Sequence, residues 1–363
     1  MPGRDITRLP NRAARVLLFT FVIWAGVRMA MPAWSQSAAL QNDTKPATPP
    51  SAAPPPAPAA PPPAQDKKDD QDKKLNDQGV FVFRKDVDEV LLHASVIDDK
   101  QHIVTTLDRS AFTVFEDGKP QNIISFHHED IPVSIGIIID NSGSMREKRN
   151  KVNQAALNLV RASNPKDEVF VVNFNDEYYL DQDFTNDLPK LKEALEKIDA
   201  RGGTALYDAV VASAEHLKRN ARLEKKVLLI VTDGEDNASN ETLEQAVKQL
   251  QEENGPSVYA IGILGDEEHP KRAKRALEII AQRTGGIAFF PRTLDEVDEI
   301  SRTVARDIRN QYTIGYKPTN ARGNGGFRQI RVEAKAKGHG KMTVRTKSGY
   351  YAGVQPAAAA ASK

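Results

Sequence analysis

The chain has 363 residues, 40% apolar and 27% charged, and 50 basic against 49 acidic side chains leave a formal net charge of +1. Length and composition fit a soluble globular protein with room for two domains, and the balanced charge offers no field to draw nucleic acid or an acidic membrane surface. There is no cysteine, which excludes disulfides, thiol catalysis, zinc–thiolate centres and a cysteine-linked lipid anchor, so any metal ligand is oxygen or nitrogen.

At the N-terminus Arg4, Arg8, Arg12 and Arg15 precede an apolar run from Val16 to Val27, and Ala33-Trp34-Ser35 supplies small residues before Gln36. Residues 1–35 therefore read as a secretory signal peptide. An uncleaved anchor is the competing reading, but the run stops at Arg28, short of the ~20 residues that a ~30 Å hydrocarbon core requires. The expectation is an exported protein of the periplasm, cell envelope or extracellular space, with no stable membrane span after cleavage. Residues 36–78 turn to Pro and Ala and then to alternating Asp and Lys, a composition that cannot bury enough apolar surface to offset ordering entropy. They are expected to form a disordered linker, and residues 354–363 a disordered tail.

Residues 79–130 carry short alternating runs, Val80–Phe83, Val90–Ile97, Phe112–Phe115 and Ile123–Phe126, which predict strands. Between the last two lies Glu116-Asp117-Gly118-Lys119, whose Asp-Gly pair supplies the positive φ angles of a tight hairpin turn. His127 and His128 follow, but adjacent strand residues point to opposite faces, so they read as a connector rather than as metal ligands.

From residue 131 to 309 apolar strands alternate with helical periodicity. Ile131–Ile139, Val169–Phe174, Val227–Val231, Val258–Ile263 and Ile287–Phe290 are the strands; Lys148–Ala162, Leu188–Ile198, Ala205–Lys218, Leu243–Glu252, Ala273–Ala281 and Leu294–Ile308 are the helices. Continuous apolar strands with helices between them predict a doubly wound α/β domain, its mostly parallel sheet covered on both faces. Residues 310–353 return to strands at Tyr312–Tyr316, Gln329–Ala334 and Met342–Arg345. Neither β-rich stretch is large enough for its own core, so the two are expected to pair into one module flanking the α/β domain.

The chemistry concentrates in three loops. Asp140-Asn141-Ser142-Gly143-Ser144 follows the first apolar strand and offers one carboxylate and two hydroxyls. Arg201-Gly202-Gly203-Thr204 adds a hydroxyl before a helix, its glycines permitting a tight turn, and Thr232-Asp233-Gly234 ends a second buried strand with a carboxylate. Hard oxygen ligands suit Mg²⁺, with Mn²⁺ or Ca²⁺ as alternatives, and few direct carboxylates would leave the ion electrophilic. The bland alternative is that Asp140 and Ser142 merely cap the helix near Lys148. Glu235 and Asp236 read as capping or solvated residues, and His216, three turns along its helix, as a surface residue.

On these residues the stretch from Ile131 to Ile308 resembles von Willebrand factor type A domains, whose metal-ion-dependent adhesion site is written D-x-S-x-S, then a threonine, then an aspartate. Asp140, Ser142, Ser144, Thr204 and Asp233 match the five positions in order. The whole chain is similar to a bacterial exported subgroup that carries a comparable E-D-G-K-P hairpin before the site. The resemblance implies a Rossmann-like fold and a divalent cation held by the hydroxyls and, largely through water, by the aspartates. It further implies an open coordination position for an Asp or Glu of a protein or matrix partner. No hydrolase motif or P-loop is present, so an adhesion or protein-binding module is expected rather than an enzyme. A scaffold subunit of an envelope assembly and a metal-dependent hydrolase are the alternatives. In relatives of this fold ligand binding at the metal can displace the last helix, and similar coupling is expected here, where Leu294, Val297, Ile300, Val304 and Ile308 form one stripe on a helix that leads into the late strands.

Overall fold

Isoleucine and valine runs without polar alternation have to be covered on both sides, and they build the centre of the molecule. A computed structural model describes residues 89–353 except 101, 197–199, 266–269 and 321–324. The signal peptide and linker readings, the strand at Val80–Phe83 and the C-terminal tail lie outside the described residues.

In chain order the elements are β1 (Val90–Ile97), β2 (Phe112–Glu116), β3 (Lys119–Gln121), β4 (Ile123–His127), β5 (Val133–Asp140), α1 (Arg149–Ala162), β6 (Glu168–Phe174), β7 (Tyr178–Thr185), α2 (Leu188–Glu196) and α3 (Leu206–Asn220). They continue with β8 (Lys225–Thr232), α4 (Leu243–Leu250), β9 (Ser257–Gly262), α5 (Pro270–Thr284), β10 (Ala288–Phe289), α6 (Glu296–Arg309), β11 (Tyr312–Tyr316), β12 (Phe327–Ala334), β13 (Thr343–Arg345) and β14 (Gly349–Tyr351).

The α/β sheet has the order β10-β9-β8-β5-β6-β7. Every pair is parallel except β6 with β7. Alternate residues of β5 feed opposite cores: Ile135, Ile137 and Ile139 pack with α1, α2 and α6, while Ile138 packs with α3, α4 and α5. Burying each such side chain stabilises the fold by ~2–3 kcal/mol. The chain leaves β5 toward β6 on one side and returns through β8 on the other. The strand order thus reverses at β5, the kind of switch point beyond whose carboxyl end doubly wound sheets bind their ligands.

The early and late strands interleave in two four-stranded sheets, β13-β1-β11-β4 and β14-β12-β2-β3. β11 lies antiparallel between β1 and β4, and β12 pairs with β2, so neither sheet exists without both parts of the chain. The two sheets share one apolar core that includes Leu92, Val114, Tyr312 and Val332. Against the α/β unit, Tyr351 N–H bonds Gln251 O at 2.7 Å and Ser348 N–H bonds Arg283 O at 3.1 Å.

Two expectations are corrected. The Asp117-Gly118 turn forms, with φ of 49° and 77°, but it joins β2 to Lys119–Gln121. Ile123–His127 crosses to the other sheet and pairs with β11. The turn chemistry is legible, whereas the strand expected to continue from it is displaced because Pro120 and Gln121 complete a short return before the crossing. The second correction is His216, which is part-buried rather than on the surface: it stacks on Phe184 with ring centroids 5.3 Å apart and bonds Asp183 at 2.9 Å. Phe184 belongs to β7, an edge strand that the apolar pattern does not reveal.

Candidate metal centre

β5 ends in Asp140, which is 0% exposed. Oδ1 accepts the Ser142 N–H at 2.7 Å and Oδ2 accepts the Thr232 hydroxyl at 2.6 Å. These bonds fix the plane of the carboxylate and leave each oxygen a further acceptor direction. Burial pushes the Asp140 carboxyl up to about 6; the Thr232 and Ser142 bonds pull it down and the nearby Asp233 charge adds to the rise.

Ser142 and Ser144 stand on the turn that follows. Their Oγ atoms are 3.0 Å apart, and the Ser144 hydroxyl donates to Asp233 Oδ1 at 2.8 Å. Asp233, one residue past β8 and also 0% exposed, takes the Lys148 ammonium on Oδ2 at 2.6 Å. Thr204 is buried before α3. Its N–H donates to Asn237 Oδ1 at 2.9 Å and its carbonyl accepts the Asn237 N–H at 3.0 Å, which ties the threonine loop to the loop after Asp233. The first and second loops are joined by Arg201 N–H to Asn141 O at 2.8 Å and Gly143 N–H to Gly202 O at 3.2 Å.

The glycines of the second loop are required by geometry. Gly202 has φ +78°, and a Cβ there would strike the Asp176 carboxylate. A Cβ on Gly203 would lie 2.7 Å from Asn237 Oδ1. Asp176 Oδ1 in turn accepts the Gly203 N–H at 2.8 Å, so the loop is pulled down between two polar side chains.

The structure thus brings together the loops of all five expected residues, three of them in one hydrogen-bonded chain from Ser142 through Ser144 to Asp233. The 3.0 Å and 2.8 Å separations along that chain are ordinary hydrogen-bond lengths, so these three side chains face one another across the loops. Among the described residues no three His, Cys, Asp or Glu side chains group as metal ligands. An ion here would rest on hydroxyls and two carboxylates, a donor set of the hard-oxygen kind. The Asn141 amide, 1% exposed, has no side-chain partner among the described residues, leaving unused polar atoms beside the site.

Sequence reasoning missed Thr232, Lys148, Asp176 and Asn237, which hold the five residues. Thr232 carries a signal, being the polar position that closes the apolar run Val227–Val231. The other three sit in hydrophilic loops where nothing in composition separates them from solvated neighbours. Asp236 does cap, accepting the Tyr207 N–H at 3.0 Å in the first turn of α3.

No curated protein matches the chain. Among solved structures it is similar to a von Willebrand factor type A protein from Catenulispora acidiphila, at 16% identity and TM-score 0.44, covering 74% of each chain. It is also similar to the PilB minor pilin from Streptococcus sanguinis, at 13% identity and TM-score 0.42, covering 51% of this chain and 62% of that one. A third is the vWF domain of a type V pili tip protein from Porphyromonas gingivalis, at 13% identity and TM-score 0.39, covering 49% of this chain and 97% of that one. The chain spans less than two thirds of the pilin. Residues 135–235 match the family model of the von Willebrand factor type A domain. That match begins in β5 and ends in the loop after β8, enclosing all three loops of the site, and the chain is identified as carrying a von Willebrand factor type A domain.

Proposed function

We propose that this domain, of a type that typically mediates protein–protein interaction or adhesion, binds Mg²⁺ or a similar divalent cation through Asp140, Ser142, Ser144, Thr204 and Asp233. Through it the protein captures an acidic side chain of a protein or matrix partner outside the cytoplasm. The observation that carries this reading is the convergence of the Ser142, Ser144 and Asp233 oxygens in one hydrogen-bonded chain beside Asp140, beyond the carboxyl ends of the central strands β5 and β8. When bound, a divalent cation supplies an electrophilic position open to an external carboxylate.

The protein's own groups prepare that position. Thr232 and the Ser142 amide orient Asp140, the cross-bonded loops fix the hydroxyls, and the buried Arg149 adds positive potential near Asp140. A partner surface lies close by. Asp140 is in register with Phe174 and Phe174 with Tyr178, so two strand spacings, ~10 Å, separate Tyr178 from the site. Tyr178 and Leu180, two positions apart on one face of β7, expose 50% and 47% of their surface, an apolar pair suited to a protein rather than a small anion. The part-buried His216 is engaged by Asp183 and Phe184, so this histidine does not serve the site as a general base.

Calorimetric titration of Mg²⁺ into the wild type and Asp140→Ala tests the site, with binding expected in the first and lost in the second. Partner capture from envelope and extracellular fractions should need Mg²⁺, disappear in EDTA and fail with Asp140→Ala. Capture that survives both would favour a scaffold role.

A further inference from the structure

We propose that Lys148 is a tethered counter-ion that holds Asp233 in the metal-free protein and is displaced when a divalent cation binds. The inference rests on the metal-site reading above. Lys148 Nζ lies 2.6 Å from Asp233 Oδ2, with the lysine side chain 14% exposed and the aspartate 0%. The other oxygen of Asp233 accepts the Ser144 hydroxyl. Both oxygens of this carboxylate are therefore engaged, one by a neutral donor and one by a full positive charge.

Charge balance gives the pair its meaning. The site holds two buried carboxylates, Asp140 and Asp233, beside two cations, the half-buried Lys148 and the buried Arg149. Without metal the four charges cancel. The guanidinium of Arg149 is committed elsewhere, to Asn173 Oδ1 at 3.1 Å and Leu195 O at 2.8 Å. Lys148 differs because its ammonium has the carboxylate as its one side-chain partner among the described residues. Adding a divalent cation beside Asp233 places it against the ammonium, and like charges in a poorly hydrated site repel strongly. The backbone of Lys148 cannot yield, since its N–H bonds Met145 O at 2.9 Å and its carbonyl accepts the Val152 N–H at 3.1 Å at the start of α1. The flexible four-carbon stem can, and the partial exposure of the side chain gives it a route to solvent.

The consequence is a site with two alternative states. In one, an internal ammonium keeps two buried carboxylates compatible with a folded loop cluster. In the other, the ammonium is outside on the rim, where an arriving anionic partner meets it. Metal affinity is then set below what the five oxygens alone would give, because each binding event has to break the Lys148–Asp233 pair.

The full chain with Lys148→Met, which keeps length and removes charge, tests this by Mg²⁺ calorimetry and by melting in EDTA and in Mg²⁺. Relative to wild type, the variant is expected to bind Mg²⁺ roughly tenfold or more tightly. It should melt lower in EDTA and gain more from Mg²⁺. Lys148→Arg, which retains the charge, should bind Mg²⁺ no more tightly than wild type. If Lys148→Met fails to fold, acetylation of wild-type Lys148 followed by mass spectrometry serves instead, and saturating Mg²⁺ should speed it at least about tenfold over EDTA. Equal or weaker Mg²⁺ affinity in Lys148→Met, or acetylation indifferent to Mg²⁺ in a wild type that binds it, overturns the proposal while leaving the metal site standing. Absence of Mg²⁺ and Mn²⁺ binding in both wild type and Lys148→Met overturns the metal-site reading and the proposal together.

Discussion

Removing the charge of Asp307 should loosen the junction between the two modules. Asp307 lies on α6 and is 3% exposed; its Oδ2 accepts the Tyr259 hydroxyl of β9 at 2.5 Å, and both its oxygens accept Arg345 of β13 at 2.7 Å. Three elements from both sides of the junction therefore meet on one carboxylate. Breaking a buried ion pair by neutralising one partner costs about 3–5 kcal/mol. Arg345 keeps 19% of its side chain exposed, so its guanidinium recovers some water, and about 3 kcal/mol is expected for Asp307→Asn. For a folded unit of this size that lowers Tm by roughly 6–10 °C. Arg345→Met should cost a similar amount, and the double variant should fall short of the sum by about 2 kcal/mol, since the pair is lost only once. The assay is thermal and urea unfolding of all four proteins. Single variants within about 2 °C of wild type, or fully additive losses, would refute the reasoning.

Four further outcomes are expected. Burial raises the Asp167 carboxyl from 3.8 to about 6, against the bonds it accepts from the Val133 and Asn164 N–H groups. A raised pKa in the folded state contributes stability that is complete below about pH 4 and lost as pH rises through about 6, so wild type should lose about 1–2 kcal/mol over that window relative to Asp167→Asn, read by urea unfolding at each pH. Gly202→Ala forces a side chain into φ +78° and onto Asp176; it should cost about 1–3 kcal/mol and weaken Mg²⁺ binding roughly tenfold or more in calorimetry. Glu116 is buried with Arg328 at 3.3 Å and also accepts the Tyr316 and Tyr350 hydroxyls, so Glu116→Ala should cost about 3–5 kcal/mol in chemical denaturation. Hydrogen exchange across residues 294–316 should change when Mg²⁺ and a partner bind, because α6 leads through Asn310 and Gln311 into β11; identical protection in both states would remove the coupling.

The limits of what the sequence reveals are physical. A strand buried on both faces, such as β5 or β8, is apolar along its central residues, so it stands out as a run and the carboxylate that follows the run stands out against it. That is why Asp140 and Asp233 are legible from the order of residues alone. β7 lacks both signals: at the sheet edge none of its residues is fully buried, so Tyr178–Thr185 has neither an apolar run nor a clear alternation to read. Sheet membership is similarly hidden in β4, since period two reports which face of a strand is buried but not which sheet supplies the partner. The same distinction governs the site. Its five oxygens announce themselves through spacing along three loops, whereas Lys148 presents as one more cation in the charged stretch Arg146-Glu147-Lys148-Arg149. Only the fold brings Lys148 and Asp233, 85 positions apart, to a 2.6 Å contact. The proposed ligand set is thus written locally and its charge balance globally, and the affinity for a cation proposed here depends on both.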